Sequence, residues 1–249
     1  MKYTEFLIVI LLSISILTPY SSDGYSSIAK PDYFSHPYFV WDILESPDVA
    51  FAWGWTGQKA WIAGEQGKMA FEVTEIREDV AGRFSIGNLS LPANDTDIAR
   101  ELVLGVWGLT SFFPGLVVPI GDTELAELND TAHDSAERVQ GNYLNGTMES
   151  DFRNITIGAT TYECIVFDYE QDPTAFGEPQ RTELAYDTTS GLLVRGNTSY
   201  SFGEPYSLVV ELESVGSVHQ PPLYALGLIS VIVVLGAALA ISKMKREAV

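Results

Sequence analysis

A single cysteine among 249 residues, Cys164, excludes an internal disulfide framework and any thiolate-rich metal site. Positive charge is also scarce. Fourteen Lys and Arg face 33 Asp and Glu, a net charge of −19, so nucleic acid is not an expected partner. The three histidines, His36, His133 and His219, lie far apart in sequence, with His133 in a helical stretch and His219 in a short stalk at 216–222. No HExxH, no GxSxG and no glycine-rich phosphate loop ending in Lys-Ser/Thr occurs. Zinc-protease, serine-hydrolase and nucleotide-hydrolase chemistries therefore lack their residues. An extracellular hydrolase is the remote alternative, neither an enzyme nor a cofactor being expected. Repeats, low-complexity runs and long linkers are likewise missing.

What the chain does have is apolar ends. Residues 6–17 form a 12-residue apolar run behind Lys2. That is short of the roughly 20 residues a membrane-spanning helix needs, and it suits an export signal. Small-x-small positions at Ser22-Asp23-Gly24 and Ser27-Ile28-Ala29 offer cleavage points, so 1–24 reads as a signal peptide, or an uncleaved signal anchor. Residues 223–242 are a 20-residue uncharged segment, preceded by Pro221-Pro222 and followed by Lys243, Lys245 and Arg246. Length, composition and trailing cations predict one transmembrane helix with a cytoplasmic tail at 243–249. Between the ends, residues 21–220 hold 31 acids and 10 bases. The expectation is a single-pass protein of the cell membrane, with 25–215 outside as one domain and 216–222 as a short stalk.

Asparagines test that orientation. Six of the seven begin Asn-x-Ser/Thr acceptors: Asn88, Asn94, Asn129, Asn145, Asn154 and Asn197. Such an excess predicts an exported glycoprotein with those positions in solvent. It also bears on the uncharged stretch at 102–120. A single crossing there would place acceptors on both sides of the membrane, and two prolines and three glycines oppose a spanning helix. The stretch reads as a core hairpin, or a strand and an apolar loop, turning near Phe113-Pro114-Gly115. A ligand-lining loop is the alternative, with Trp107, Phe112 and Phe113 as lining residues.

Two-residue alternation dominates the outer domain. Met69, Phe71 and Val73 share one face, as do Tyr206, Leu208, Val210 and Leu212. Turn signals at Thr56-Gly57, Gln66-Gly67, Asn145-Gly146 and Ser190-Gly191 separate the strands. Residues 160–170, 181–187, 192–202 and 206–215 read as a four-stranded meander, and 50–56, 59–64, 68–77 and 82–88 as a second group. Near 148–157 the alternation slips, Phe152 and Asn154 taking one parity and Ile155 and Ile157 the other, which predicts a bulge. One helix is predicted from Asp122 or Thr123 to Gly141, with Leu125, Leu128, Ala132, Ala136 and Val139 on its apolar stripe. Asn129 borders that stripe, so either its acceptor is unused or the helix is interrupted. The fold class expected is α+β, mostly β: a curved, half-barrel-like antiparallel sheet packed by one main helix, plus the C-terminal span.

Other candidates have blander readings. Cys164, in a strand-like run, reads as a buried hydrophobe, with a cross-link between chains as the alternative. Asp168, Glu170 and Asp172 alternate and are weak metal candidates, but Pro173 stands where a calcium loop requires glycine, and a solvated acidic face fits better. Phe51, Trp53 and Trp55 form an aromatic stripe that fills a core or lines a ligand site. Gly236 and Ala240 form a small-xxx-small pair suited to helix association.

Residues 184–193, a strand, an Asp/Gly turn and the start of another strand, lead on to 206–212. This arrangement, over about 55 residues, resembles the half-barrel of bacterial envelope lipoprotein carriers and anchored ectodomains of archaeal surface proteins. The resemblance implies a concave sheet that holds acyl chains under a helix. The C-terminal anchor departs from the carriers, which diffuse. The functional expectation is thus a membrane-anchored, N-glycosylated, cell-surface ectodomain with a binding or envelope-structural role. Its partners would be the bilayer and a hydrophobic ligand or surface partner, and the alternative is a tethered hydrophobic-ligand-binding half-barrel.

Overall fold

A computed structural model describes residues 25, 28, 35–46, 50–52, 59–61, 67–77, 79–87, 89–102, 114–138, 145–173, 175, 177–201 and 205–219. The elements in chain order are β1 (Ser35–Glu45), β2 (Ala50–Ala52), β3 (Lys59–Trp61), β4 (Gly67–Ile76), β5 (Val80–Ile86), β6 (Leu89–Asn94), α1 (Asp95–Leu102), α2 (Asp122–Arg138), β7 (Gly146–Ile157), β8 (Thr160–Gln171), β9 (Arg181–Asp187), β10 (Leu193–Ser201) and β11 (Pro205–His219). Nine strands build one open, curved antiparallel sheet in the order β6-β5-β4-β1-β11-β10-β9-β8-β7, while β2 and β3 form a separate small hairpin. The mostly-β fold class and the meander from β8 to β11 stand as expected. No helix among the described residues is long and apolar enough to cross a membrane, and the predicted span at 223–242 lies outside them. So does the predicted signal at 1–24, residues 25 and 28 being the first described.

The alternation read in the sequence sets which face is dry. Phe39, Trp41 and Ile43 of β1 align with Phe71, Met69 and Gly67 of β4, and Met69 with Ile86 of β5. Trp41 pairs with Leu212 on the other side, and all of these except Gly67 are buried, burial of apolar area being the main favourable term. Register shifts in β1 at Val40/Trp41 and Ile43/Glu45, and at Leu193/Arg195 between β9 and β10, interrupt the regular pairing. Such extra residues bend a strand and raise its twist.

Two expectations need correction. The pairing of β7 with β8 runs through 12 residue pairs without a shift, so no bulge reconciles the parity change. Phe152 and Asn154 face one side, exposed, while Ile155 and Ile157 pack from the other side against the core. Both faces of that corner carry apolar side chains, and the pattern changes face while the backbone stays regular. Second, β11 continues to His219, paired with Ser35, so the first four residues of the expected stalk belong to the sheet. Of the uncharged stretch predicted as a hairpin, residues 103–113 lie outside the described set, leaving 114–120. That part is an extended strap with one bridge, Val117 to Leu192, and Leu116, Val117 and Val118 are buried.

The strap is fastened at several points. Tyr186 Oη donates to the Gly115 carbonyl at 2.7 Å, Leu193 N–H to Leu116 O at 2.9 Å, and Val118 N–H to Gly191 O at 2.8 Å. From the opposite direction, Trp41 Nε1 donates to Leu193 O at 2.7 Å. Gly191 has φ of +74°, and a Cβ there would lie 2.1 Å from the Val118 carbonyl oxygen, so the turn and the close strap both require glycine. Asp187 completes that turn by accepting from Ser190 N–H and Oγ at 2.8 and 2.6 Å.

Candidate functional site

Helix α2 lies over the β7 end of the sheet. Its acids Asp122 and Glu124 sit in the first turn, where the helix dipole favours them. Ala132 and Ala136 are buried and Leu125 and Leu128 pack against the core, which is the predicted stripe; Val139 lies outside the described residues. The helix runs unbroken through Asn129, whose Oδ1 accepts from Ser150 Oγ on β7. His133, one turn later, has Nε2 at 3.1 Å from the same hydroxyl. Because the Ser150 proton goes to Asn129, the ring donates to Ser150 through Nε2–H and is not placed to take its proton.

Beside this contact, a groove of about 670 Å³ opens between α2 and the β7–β8 hairpin. Leu125, Ala126, Phe152 and Ile165 supply apolar walls, with Phe152 itself 65% exposed. Asp122 and Glu163 stand around it, while the Asp151 carboxylate turns to Arg153 at 3.6 Å, and among the described residues no Lys or Arg contributes to the lining. An acyl chain would fit the walls, but an anionic headgroup would meet like charge. Neutral or cationic apolar ligands match the groove chemically.

The six aromatic residues expected to line a ligand site do not enter this description. Phe51 lies in β2 with its side chain outside the described set, and Trp53, Trp55, Trp107, Phe112 and Phe113 lie outside it altogether. The groove was missed because the parity of Phe152 was assigned to a bulge. Its agreement with exposed Asn154, against Ile155 and Ile157, was the available signal.

On the opposite face of the sheet the alternating acids separate into different partnerships. Arg153 lies across from Cys164 yet reaches Asp168 at 2.7 Å and Glu183 at 3.0 Å, so its stem passes over Val166, which is fully buried. Glu170 pairs with Arg181 at 2.9 Å, and Asp172 accepts from Asn145 Nδ2. The triplet is thus engaged by three separate groups, and among the described residues no three potential ligands gather as a metal site. Cys164 is a free, buried thiol, as expected, and burial pushes it up to about 12. His36 pairs with Glu72 at 2.7 Å, on a different element from His133, and His219 ends β11.

One buried acid stands apart. Asp95 begins α1 and is fully buried. Its Oδ2 accepts from Val117 N–H at 3.0 Å, tying α1 to the strap, while Oδ1 has no partner among the described residues. Burial, then the neighbouring Asp79, raises its carboxyl well above the usual range. Protonated, Oδ1 becomes a donor toward Asp79, whose own oxygens accept from Val80 N–H and Thr96 Oγ1. Burial also raises Tyr25 and Tyr186, with Asp95 adding to both. This is a structural clamp between helix, strap and sheet.

No known family model matches the chain, and no curated protein does. The groove, the buried acid and the sheet edges therefore carry the functional reading by themselves.

Proposed function

We propose that the protein is a membrane-anchored, N-glycosylated ectodomain on the cell surface, with a binding or envelope-structural role. The supporting observation is the pairing of Ser35 with His219 at the meeting of β1 and β11. The described chain enters the sheet at Ser35 and leaves it at His219, so the sequences flanking the sheet start from one corner. Asn94 and Asn154, both exposed, agree with this reading. Fractionation of cells expressing the full chain tests it. The polypeptide is expected to remain with membranes after carbonate washing, to be cleaved by protease added outside intact cells, and to exceed its polypeptide mass. Recovery as an unmodified protein in the cytosol would refute the proposal.

The groove supports a second reading, a tethered binder of apolar ligands. The α2–β7 groove is its site, and its acidic rim favours neutral or cationic ligands. A neutral fluorescent amphiphile should bind the detergent-purified full chain, and Phe152→Asp should weaken binding at least tenfold while leaving the melting curve nearly unchanged. A fatty-acid anion binding more tightly than its neutral alcohol would contradict this reading.

A further inference from the structure

The open sheet has two edges, and they differ. β6 is six residues long and contains Pro92, which cannot donate to a further strand. β7 is 12 residues long and has no proline. It is hydrogen-bonded only to β8 among the described residues, so an edge roughly 40 Å long at about 3.4 Å per residue lacks a second strand partner, although α2 packs on it and β11 approaches it. Phe152 stands exposed at its middle. A long, regular edge of this kind invites pairing with another chain, and something must oppose it.

The glycan acceptors follow these edges. Asn88 immediately precedes β6 and Asn94 ends it; Asn145 immediately precedes β7 and Asn154 lies within it. The seven interior strands carry one acceptor between them, Asn197 in β10. We propose that N-glycans close the sheet edges, those at Asn145 and Asn154 guarding β7 against self-pairing. This rests on the reading of the ectodomain as glycosylated. The occupant excluded is a second copy of the same strand. Antiparallel pairing centred on Phe152 places Asp151 opposite the second copy's Arg153 and Arg153, which already holds its own Asp168, Glu183 and Asp151, opposite the second copy's Asp151, a complementary arrangement of charge on one face. Asn154, two residues from that centre, falls opposite the second copy's Ser150 on the face that α2 covers, so a glycan there would collide with the second copy's α2. At β6 the short length and Pro92 already oppose pairing, so its acceptors matter less.

The experiment uses the full chain from a glycosylating host, purified in detergent. Glycopeptide mass spectrometry is expected to find Asn145 and Asn154 occupied; if these two are bare while other acceptors carry glycans this inference falls alone, and if every acceptor is bare it falls together with the glycosylated reading. With both occupied, Thr147→Ala/Thr156→Ala removes the acceptors and should double the particle mass by light scattering. Thr147→Ser/Thr156→Ser keeps the acceptors and, like Ser199→Ala, should leave the mass unchanged. A Thr147→Ala/Thr156→Ala protein of wild-type mass would overturn edge closure while leaving glycosylation standing. Adding Asp151→Arg, which faces the second copy's Arg153, should return the bare protein to wild-type mass. Association that persists, from misfolding or another surface, would also overturn the proposal.

Discussion

Trp41→Ala is expected to remove most of the stability of the domain. Trp41 is fully buried in β1 between β4 and β11, among the largest side chains with no exposure. Truncating such a ring costs about 3–5 kcal/mol from lost transfer and the cavity left behind. The substitution also strips the Leu193 carbonyl of its Nε1 donor, and a buried acceptor left alone costs about 1–3 kcal/mol more. Against a typical total of about 5–15 kcal/mol, little remains. Thermal melting of the detergent-purified chain should fall by roughly 10 °C or more. Trp41→Phe separates the two contributions, since it retains a ring and loses the donor, and it should fall by less than half as much. An alanine variant melting within about 2 °C of wild type would mean that the Trp41 ring and its bond to Leu193 contribute little to the stability of the domain.

Asp95→Asn should stabilise the protein at neutral pH and have almost no effect near pH 4. The folded state raises this carboxyl, through burial first and Asp79 second, so it retains a proton that the unfolded chain releases above about pH 4. Stability from this group is therefore fully present below the unfolded value and is lost as pH rises through the folded one. An asparagine keeps the acceptor for Val117 N–H and offers a permanent donor toward Asp79 where Oδ1 has no partner. Relieving a buried unsatisfied group is worth about 1–3 kcal/mol. Melting curves of both proteins from pH 4 to 8 should diverge steadily, because the remaining acids titrate alike in each. Parallel curves, or a growing advantage for wild type at high pH, would show that Asp95 is ionised in the fold.

The strands legible from sequence are those with one dry and one wet face. Met69, Phe71 and Val73, and Leu208, Val210 and Leu212, alternate because each pair of neighbours points to opposite sides of the sheet. β1 escaped for a physical reason: Tyr38 and Val40 on its polar side are as apolar as Phe39 and Trp41, so alternation is hidden. β6 and α1 are short and run directly into one another at Asn94 and Asp95, leaving no turn signal between them. The strap was invisible because a run of buried, uncharged residues reads the same whether it pairs as a strand or lies across others. Asp95 and the groove depend on elements distant in sequence. The approach of Val117 to Asp95, and of α2 to β7, follows only from the assembled sheet.

The junction of β1 with β11 has a kinetic consequence. Within the main sheet, other neighbouring strands follow one another closely in sequence or are separated only by the β2–β3 hairpin, so two sub-sheets can form as local hairpins. Only this seam joins the first strand to the last, and its contacts reward the chain after a very long loop has closed. During synthesis β11 is also the last strand to emerge, so both halves must wait, each with an open flank, until it arrives. The seam is where folding should finish, and the interval before it closes is when the nascent chain most needs protection from its neighbours.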